Sequence, residues 1–506
     1  MMIIDNTTQI SYKDFLQNRQ IKVSENPEFI DFINAGHTFL INNIRKGRPI
    51  YGVTTGYGEA GQNYAAFEEA EELQKNLYSF HGCGVGKYLS KKISRLMITV
   101  RLISLSKGKS GISYDLLKRF ELLLNKEIYP RIPSQGSVGA SGDLTPLSYI
   151  AAVIAGEREV YYKGEVRNTA DVYRELDIEP YRFKPKEALA IMNGTATMSA
   201  IGIDSIDKFE TILNTAETFI ASIYELLLCD TTPLEPFVHA SKPFAGQITT
   251  AANILRKCQG SQLTHEAFSR YENFHLEKEQ NIQDRYSIRC APQVLGVIRD
   301  NLEIAKKWIE TEINGVNDNP LIDHIGGKIY TSGNFYGGYI AHAMDTMRIC
   351  AGNLADILDK EFALLIDHKF NKGLGESLKL NKKSTHHGFK AMQITLSSLS
   401  ADVMINSVPA SLNSRPTESY NQDKVSMGTT AALHFAEQIP NLTLMLSIAL
   451  IGAAQAVDIR GKEKCSPTLQ KNYATIREKV EKLTEDRRMD FDIQKIAEMI
   501  KEGAFV

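Results

Sequence analysis

The chain has 506 residues, of which 43% are hydrophobic, and its formal net charge at pH 7 is −2. A chain of this length and composition can bury a sizeable core, and the length permits more than two domains of average size. Proteins that bind nucleic acid or an anionic membrane surface usually carry an excess of basic residues, and the near-zero net charge shows no such excess. We therefore expect neither nucleic acid nor a membrane as a partner.

Apolar residues recur at helical spacing in residues 116–124 and 295–313, and strand-like alternation is short, as at residues 159–162. Residues 442–457 are the most apolar stretch. Polar residues interrupt this stretch, and it falls short of the roughly 20 apolar residues that a membrane span needs. We predict a buried core helix there and a mainly α-helical protein as a whole.

The six cysteines are scattered without a Cys-x-x-Cys pair, and the first residues lack the basic and apolar segments of an export signal. We therefore expect reduced thiols and a cytoplasmic location. The 11 histidines form no His-Glu-x-x-His motif, and neither a Rossmann nor a phosphate-loop signature is present. We expect no metal site and no free cofactor.

One tripeptide, Ala140-Ser141-Gly142, can become an electrophile from the chain alone. The amide nitrogen of Gly142 would attack the carbonyl carbon of Ala140 and close a five-membered ring, and glycine has no Cβ to obstruct that contact. One water would leave from the former carbonyl and one from the Ser141 side chain, which gives a methylidene-imidazolone, an electron-poor alkene. Without further context the same residues are typical of a polar turn, with Asp143 capping a following helix.

The sequence around the tripeptide, Gly-Ser-Val-Gly-Ala-Ser-Gly-Asp-Leu-Thr-Pro-Leu-Ser-Tyr-Ile at 136–150, closely resembles the signature of the histidine, phenylalanine and tyrosine ammonia-lyases. Further segments resemble the same family in order along the chain: Tyr-Gly-Val-Thr-Thr-Gly-Tyr-Gly (51–58), Phe-His-Gly-Cys-Gly (80–84), Met-Asn-Gly-Thr (192–195), Gln-Asp-Arg-Tyr-Ser-Ile-Arg (283–289), Asn-Asp-Asn-Pro (317–320), Gly-Asn-Phe (333–335) and Asn-Gln-Asp-Lys-Val-Ser-Met-Gly (421–428). The chain is thus similar to the aromatic amino acid ammonia-lyases and the related aminomutases.

The resemblance implies a mainly α fold, with a long central helical bundle and a smaller N-terminal region that carries the electrophile loop. We place the N-terminal region at residues 1–200 and the helical bundle at residues 201–506. The resemblance also implies an amino acid as substrate, a methylidene-imidazolone made from residues 140–142, and a homotetramer whose active sites draw on more than one subunit.

The same resemblance assigns catalytic roles to five further residues. Tyr51 is the candidate base, on a glycine-rich loop that suits a mobile lid. A phenol with a reference pKa of about 10 needs positive or hydrogen-bonding neighbours to act at neutral pH. Arg289 is the candidate clamp for the substrate carboxylate, because a guanidinium can bind a carboxylate in bidentate fashion. Gln283 and Tyr286 would form hydrogen bonds near the ring, and Asn193 would polarise the ring carbonyl.

Phe80, His81, Asn319, Phe335 and Gln422 are the candidate substrate-binding residues. Phe80 favours an apolar ring, whereas His81 can form a hydrogen bond with a phenol or an imidazole. Members of the family that act on histidine carry a glutamate after the Asn-Gln pair of the last motif, and this chain does not. The neutral amide of Gln422 cannot stabilise an imidazolium as a carboxylate would.

The segment after Asn334 also departs from the Asn-Phe-His of many histidine enzymes, because Tyr336 follows Phe335. We therefore expect a carbon–nitrogen lyase that eliminates ammonia from L-tyrosine or L-phenylalanine, with L-histidine kept open. A 2,3-aminomutase would use the same residues and return the amine to the β-carbon before the product escapes. A hypothesis from another class is a non-catalytic helical binding protein in which the ring never forms.

Overall fold

The computed structural model describes residues 1–17, 19–266 and 283–506. Within these residues the predicted mainly α-helical class is confirmed. The α-helices are α1 (Tyr12–Leu16), α2 (Pro27–Arg45), α3 (Ala70–Phe80), α4 (Lys91–Ser106), α5 (Tyr114–Asn125), α6 (Leu144–Ile154), α7 (Thr169–Glu175), α8 (Glu187–Met192), α9 (Ala196–Leu226), α10 (Pro236–Ala240), α11 (Ala245–Cys258), α12 (Tyr286–Arg289), α13 (Ala291–Ile313), α14 (Gly338–Ile366), α15 (Lys390–Ile405), α16 (Gly428–Arg460), α17 (Pro467–Arg477) and α18 (Asp490–Lys501).

Short strands form small sheets between the helices. They are β1 (Met2–Ile4), β2 (Ile21–Val23), β3 (Val85–Tyr88), β4 (Tyr129–Pro130), β5 (Pro133–Gln135), β6 (Glu159–Tyr162), β7 (Glu165–Asn168), β8 (Leu321–Asp323) and β9 (Lys328–Tyr330). Strands β1 and β2 are parallel, with Met2 opposite Ile21. The other pairs are antiparallel: β3 with β5, β6 with both β4 and β7, and β8 with β9. The predicted strand at residues 159–162 coincides with β6.

The chain divides into two compact units. Unit 1 comprises Met1–Asp204, Ala305–Asp345 and Pro409–Leu433, and it contains the strands given above. Unit 2 comprises Ser205–Ile304, Thr346–Val408 and His434–Val506. Helices α9, α13, α14 and α16 contribute residues to both units. The division into 1–200 and 201–506 stays a prediction.

Helices α5 and α13 form because their apolar residues recur on one face and bury that face. In α5 the predicted residues are at most 7% exposed, namely Leu116, Leu117, Phe120, Leu123 and Leu124. In α13 they are at most 2% exposed, namely Leu295, Ile298, Leu302, Ala305, Ile309 and Ile313. Both predicted helical periods are confirmed.

Residues 442–457 lie inside α16, a single helix of 33 residues. The prediction of a core helix is supported. The expectation that the stretch falls short of a membrane span was wrong, because α16 is long and apolar enough to cross a membrane by length and composition. Of its most apolar window, 83% is buried inside the protein, as expected of a core helix. The polar residues do not interrupt the helix, because the hydroxyls of Thr443 and Ser447 donate to the carbonyls of Ile439 and Thr443 at 2.9 and 2.8 Å.

Two connections in unit 1 carry the predicted electrophile and its neighbour Asn193. Residues 136–143 connect β5 to α6, and residues 193–195 connect α8 to α9. A parallel β-bridge between Gly142 and Gly194 joins the two connections. The local fold therefore brings together two motifs that are about fifty residues apart in the sequence.

Candidate active site

The electrophile loop, residues 136–143, is fixed at Gly142. The backbone N–H of Asp143 donates to the carbonyl of Gly194 at 2.7 Å, and Gly142 has a φ of 71°. A Cβ at Gly142 would collide with the carbonyl group of Gly194. Only glycine fits this position, both for its left-handed backbone and for the close approach of the two chains. The amide nitrogen predicted to attack Ala140 therefore has no side chain beside it.

Gln422 contacts the central residue of the tripeptide. Its Nε2 donates to Ser141 Oγ at 3.2 Å, and its Oε1 accepts from the hydroxyl of Thr417 at 2.7 Å. Thr417 and Gln422 also pair through their backbones and close a turn. The three residues of this turn at 418–420 are all left-handed, with φ of 50°, 49° and 65°. The turn thus fixes the Gln422 amide at the half-buried Ser141 hydroxyl.

Asn193 follows the last residue of α8 and is 3% exposed. Its Oδ1 is buried and finds no hydrogen-bond partner among the described residues. A buried amide group without a partner is unfavourable, so the site holds unused hydrogen-bonding capacity beside Gly194. Together with the glycine at 142 and the partly exposed Ser141, this unused group fits a ring formed from residues 140–142.

Tyr51 lies half-buried at the start of the tyrosine loop, residues 51–66, and its hydroxyl accepts from the backbone N–H of Gly58 at 2.8 Å. Burial raises the pKa of Tyr51 above its usual value of 10, the Gly58 N–H lowers it, and the nearby Glu418 carboxylate raises it further. The hydrogen-bonding neighbour that we expected is present. The net direction is nevertheless upward, because loss of water around the phenol outweighs one N–H donor.

Phe80 and His81 lie at the end of α3, with ring centroids 4.2 Å apart. Phe80 is 57% exposed, and the Nδ1 of the half-buried His81 lies 2.9 Å from the carbonyl of Leu77. Since a carbonyl only accepts, Nδ1 carries the hydrogen and Nε2 is the acceptor of the neutral ring. Burial lowers the pKa of His81, which the Leu77 carbonyl and Glu418 only partly offset. His81 therefore offers a hydrogen-bond acceptor at neutral pH.

Asn319 and Phe335 lie further along unit 1. Asn319 is 7% exposed, and its Oδ1 accepts from the backbone N–H of Ser332 at 2.7 Å. Phe335 is half-buried in the turn before α14. The side-chain oxygen of Asn319 is therefore already used to hold the Ser332 backbone.

Gln283, Tyr286 and Arg289 belong to unit 2. Gln283 is exposed, and Tyr286, at the start of α12, is 73% exposed. The Arg289 guanidinium carbon lies 4.5 Å from the centroid of the Tyr286 ring, and Arg289 Nε is buried without a hydrogen-bond partner in the part of the chain that the structure describes. The hydroxyl of Tyr224 donates to the carbonyl of Ile288 at 2.9 Å and anchors the segment. Within the described residues, Arg289 therefore has one buried N–H group without a hydrogen-bond acceptor.

Sequence reasoning treated Asp143 only as a helix cap and missed its burial. The carboxylate is 0% exposed and accepts from the backbone N–H groups of Thr197 and Met198, at 2.9 Å each, and from the hydroxyls of Ser137 and Thr429. Burial raises the pKa of Asp143 to about 6, although these hydrogen bonds oppose the shift. Asp143 thereby ties the electrophile loop to the start of α9. The burial of Asp143 could have been suspected from its position, because it directly follows the tripeptide 140–142.

The six cysteines are free thiols. No group of three or more His, Cys, Asp or Glu side chains that could hold a metal ion occurs in the described ranges. The candidate residues of unit 1 supply hydroxyl, amide and imidazole groups, and of these the Gln422 amide contacts Ser141. The candidate segment of unit 2, residues 283–289, supplies a guanidinium group.

The sequence model of the aromatic amino acid lyase family matches residues 10–478 of this chain. A histidine ammonia-lyase of Shouchella clausii is 35% identical over 502 residues, which cover 99% of this chain and 97% of that protein. The structure of a tyrosine aminomutase from Streptomyces globisporus has a TM-score of 0.94 and 32% identity, covering 100% of this chain and 97% of that one. A phenylalanine aminomutase of Pantoea agglomerans has a TM-score of 0.95 and 31% identity, with 100% of both chains covered. These similarities confirm the predicted resemblance, and the chain belongs to the aromatic amino acid lyase family and is a carbon–nitrogen lyase.

Proposed function

We propose that the protein is an aromatic amino acid ammonia-lyase that converts L-tyrosine, and with lower preference L-phenylalanine, into the trans-arylacrylate and ammonia. The observation that carries the choice of substrate is the hydrogen-bonding state of His81. Its Nδ1 is used by the Leu77 carbonyl, so its Nε2 can accept the phenol hydrogen of tyrosine. Phe80, whose ring lies beside it, offers an apolar surface for the rest of the substrate ring.

We propose that Ala140, Ser141 and Gly142 form a methylidene-imidazolone, which supplies an electrophilic carbon for the substrate amine. Three observations support this. Gly142 has no room for a Cβ, Gln422 donates to the Ser141 hydroxyl, and Asn193 has a buried amide oxygen without a partner in the described ranges. Asn193 and Gln422 would then orient the polar groups of the modified segment.

Tyr51 is the proposed base, which removes the β-hydrogen of the substrate as a proton at its phenolic oxygen. Only the phenolate can accept this proton. Since burial and Glu418 raise the pKa of Tyr51, the fraction of phenolate, and with it the rate, should increase as the pH rises. The N–H of Gly58 stabilises the phenolate and holds its oxygen in one position.

Arg289 is the proposed clamp for the substrate carboxylate, with Gln283 and Tyr286 as hydrogen-bonding neighbours. The Arg289 Nε, which has no acceptor among the described residues, supports this role. The family resemblance implies a homotetramer whose active sites draw on more than one subunit, and we propose that these three residues enter the site by that route. Asn319 and Phe335 are proposed to line the substrate side. The free thiols are consistent with the proposed cytoplasmic location.

Two alternatives have support of their own. The Nε2 acceptor of His81 also suits an imidazole N–H, and the curated relative quoted above is a histidine ammonia-lyase. The solved neighbours quoted above are aminomutases. Family members that act on histidine carry a glutamate in the motif that contains Gln422, and this chain does not. The neutral amide of Gln422 therefore argues against histidine as the main substrate.

The test is to incubate the purified protein separately with L-tyrosine, L-phenylalanine and L-histidine and to separate the products by chromatography with mass detection. We expect coumarate from tyrosine and less cinnamate from phenylalanine, each with one ammonia. A β-amino acid as main product would make the protein an aminomutase, and urocanate as main product would contradict the assignment of the substrate. The Ser141→Ala variant is the control for turnover that does not need the ring.

A further inference from the structure

Arg101, on α4, is a fully buried cation that binds backbone carbonyls. Its side chain is 1% exposed. Nε donates to the carbonyl of Ala190 at 2.8 Å, Nη2 donates to the same carbonyl, and Nη1 donates to the carbonyl of Asn317 at 2.7 Å. Because these two carbonyls come from α8 and from the segment before β8, the guanidinium fixes the place where α8 ends.

Gly194 lies between this guanidinium and the electrophile loop. A Cβ at Gly194 would collide with Arg101 Nη1, and a Cβ at Gly142 would collide with the backbone of Gly194. The Arg101 guanidinium therefore lies against the Gly194 backbone, and the Gly194 backbone lies against the Gly142 backbone. Positions 194 and 142 are both glycine because a side chain would not fit at either contact.

The other end of the tripeptide is held as well. Gly139 has a φ of 71°, and a Cβ there would collide with Ser426 Oγ. The backbone N–H of Met427 donates to the carbonyl of Val138 at 2.9 Å. Ala140 and Ser141 thus span a short gap between two fixed points, one at Ser426 and one at Gly194.

We propose that Arg101 is a positioning residue for the formation of the ring: acting through Gly194, it holds the Gly142 amide where it can reach the Ala140 carbonyl carbon. This inference rests on the proposed function, since it presumes that the ring forms. Arg101 contacts none of the reacting atoms. Its contribution is to prevent the 193–195 connection from moving away when the Gly142 nitrogen is pressed toward Ala140.

The step needs no external reagent. The Gly142 nitrogen forms a bond to the Ala140 carbonyl carbon, and its hydrogen moves to the former carbonyl oxygen. That oxygen then leaves as water with the hydrogen of the Ser141 nitrogen, which leaves a carbon–nitrogen double bond. The Ser141 hydroxyl leaves as a second water with the hydrogen of the Ser141 Cα. Two waters are lost, and nothing is oxidised or reduced.

The test compares Arg101→Lys with Arg95→Lys. Arg95 lies on the same helix and also donates to carbonyls, those of Phe15 and Gln17 at 3.3 and 3.4 Å, but its partners are not next to Gly194. Each full-length protein is expressed, its soluble folded fraction is purified, and its intact mass is followed over time. A lysine keeps the charge but cannot bind both carbonyls with one planar group.

We expect wild type and Arg95→Lys to lack the mass of two waters, while folded Arg101→Lys retains it and loses it about 100-fold more slowly, as a misplacement of around an ångström can cause. Full water loss in folded Arg101→Lys at the wild-type rate would overturn the inference while leaving the proposed ring intact. A wild type that keeps both waters would overturn the ring and the inference together.

A second variant covers the case in which Arg101→Lys does not fold. Gly194→Ala places a methyl group against Arg101 Nη1 and should shift the connection away from the guanidinium. We expect a folded Gly194→Ala protein that also keeps its two waters. If Gly194→Ala matures like wild type, the stacking of Arg101, Gly194 and Gly142 has no role in ring formation.

Discussion

The electrophile loop and the tyrosine loop both belong to unit 1, yet their functional groups are held to different degrees. The electrophile loop ends in the fully buried Asp143, whose carboxylate accepts from two backbone N–H groups and two hydroxyls. The tyrosine loop holds its own functional group through one N–H, that of Gly58, and Tyr64 in the same loop is 67% exposed. The first part of the tyrosine loop is also anchored in the core, where Val53 packs with Leu40 and Ile50, but its residues 59–66 are exposed or half-buried.

This difference matches the tasks proposed for the two loops. A group made by cyclisation needs a backbone that stays in one geometry, since small displacements of reacting atoms are costly. A base on a lid must move to admit the substrate and release the product. The hydrogen bond from Ser419 to Glu59, at 2.5 Å, connects the tyrosine loop to the turn that carries Gln422, and a single exposed bond of this kind can open readily.

Ser141→Ala should be the most damaging change, because it removes the hydroxyl that must leave as water. Ring formation should be abolished, and turnover of tyrosine should fall to the background level. Intact mass and product chromatography measure the two effects. Ser134→Ala, in β5, is the matched control and should mature normally. Normal turnover by a Ser141→Ala protein would refute the role of the electrophile loop.

Tyr51→Phe should distinguish the role of the tyrosine loop in turnover from the role of the electrophile loop in ring formation. The ring should form as in wild type, because the electrophile loop is fixed without the phenol, while kcat should fall by about 10²–10⁴-fold, the usual contribution of a general base. Intact mass gives the first result and steady-state kinetics the second. Tyr64→Phe, on the same loop, should leave kcat unchanged, and equal losses in both variants would mean that the loop matters only as packing.

His81→Leu should change the choice of substrate without affecting either loop. Loss of the Nε2 acceptor should lower kcat/KM for tyrosine by at least about tenfold, since a substrate hydroxyl would be left without a partner. The value for phenylalanine should stay the same or rise. Competition between the two amino acids in one reaction measures the ratio directly. A parallel loss for both substrates would assign His81 to the fold and not to recognition.

The dependence of the rate on pH should change only slightly when a neighbour of Tyr51 is replaced. The raised pKa of Tyr51 predicts that kcat/KM increases with pH through the alkaline range. Glu418→Gln removes a negative charge that raises this pKa, so the increase should begin at lower pH. The shift should be small, because Glu418 is exposed and its charge is screened by salt. The difference between the two pH profiles should shrink at high ionic strength. A profile that shifts upward would show that Glu418 acts by another route.

The sequence was sufficient for the helical class, because periodic apolar positions such as Leu116, Phe120 and Leu123 bury one face of α5. The expectation that residues 442–457 fall short of a membrane span was wrong for a physical reason. Thr443 and Ser447 were taken as interruptions, but their hydroxyls bond to carbonyls one turn earlier in the same helix, so they are compatible with an apolar core. Composition alone does not reveal where a hydroxyl finds its partner.

For the site, the resemblance supplied candidates that local chemistry supports, such as Gln422, whose amide reaches Ser141 across 281 positions. The supporting residues were not predictable in this way. Arg101 is one arginine in a helix, and its role depends on the carbonyl of Asn317, 216 positions away. Whether a cation is paired, exposed or bound to carbonyls is decided by tertiary structure, and no local pattern encodes it.

The turn at residues 418–420 has a consequence for engineering. Glu418, Ser419 and Tyr420 all adopt left-handed backbone conformations without a glycine among them, and each such residue costs roughly 1 kcal/mol or more. Glycine at 420 would relieve part of that cost at a side chain that is 75% exposed, and it would keep the hydrogen bond from Ser419 to Glu59. The turn is thus a reserve of thermal tolerance. A catalyst made more heat-resistant there would keep its pocket residues at 80 and 81 free for changes in substrate scope.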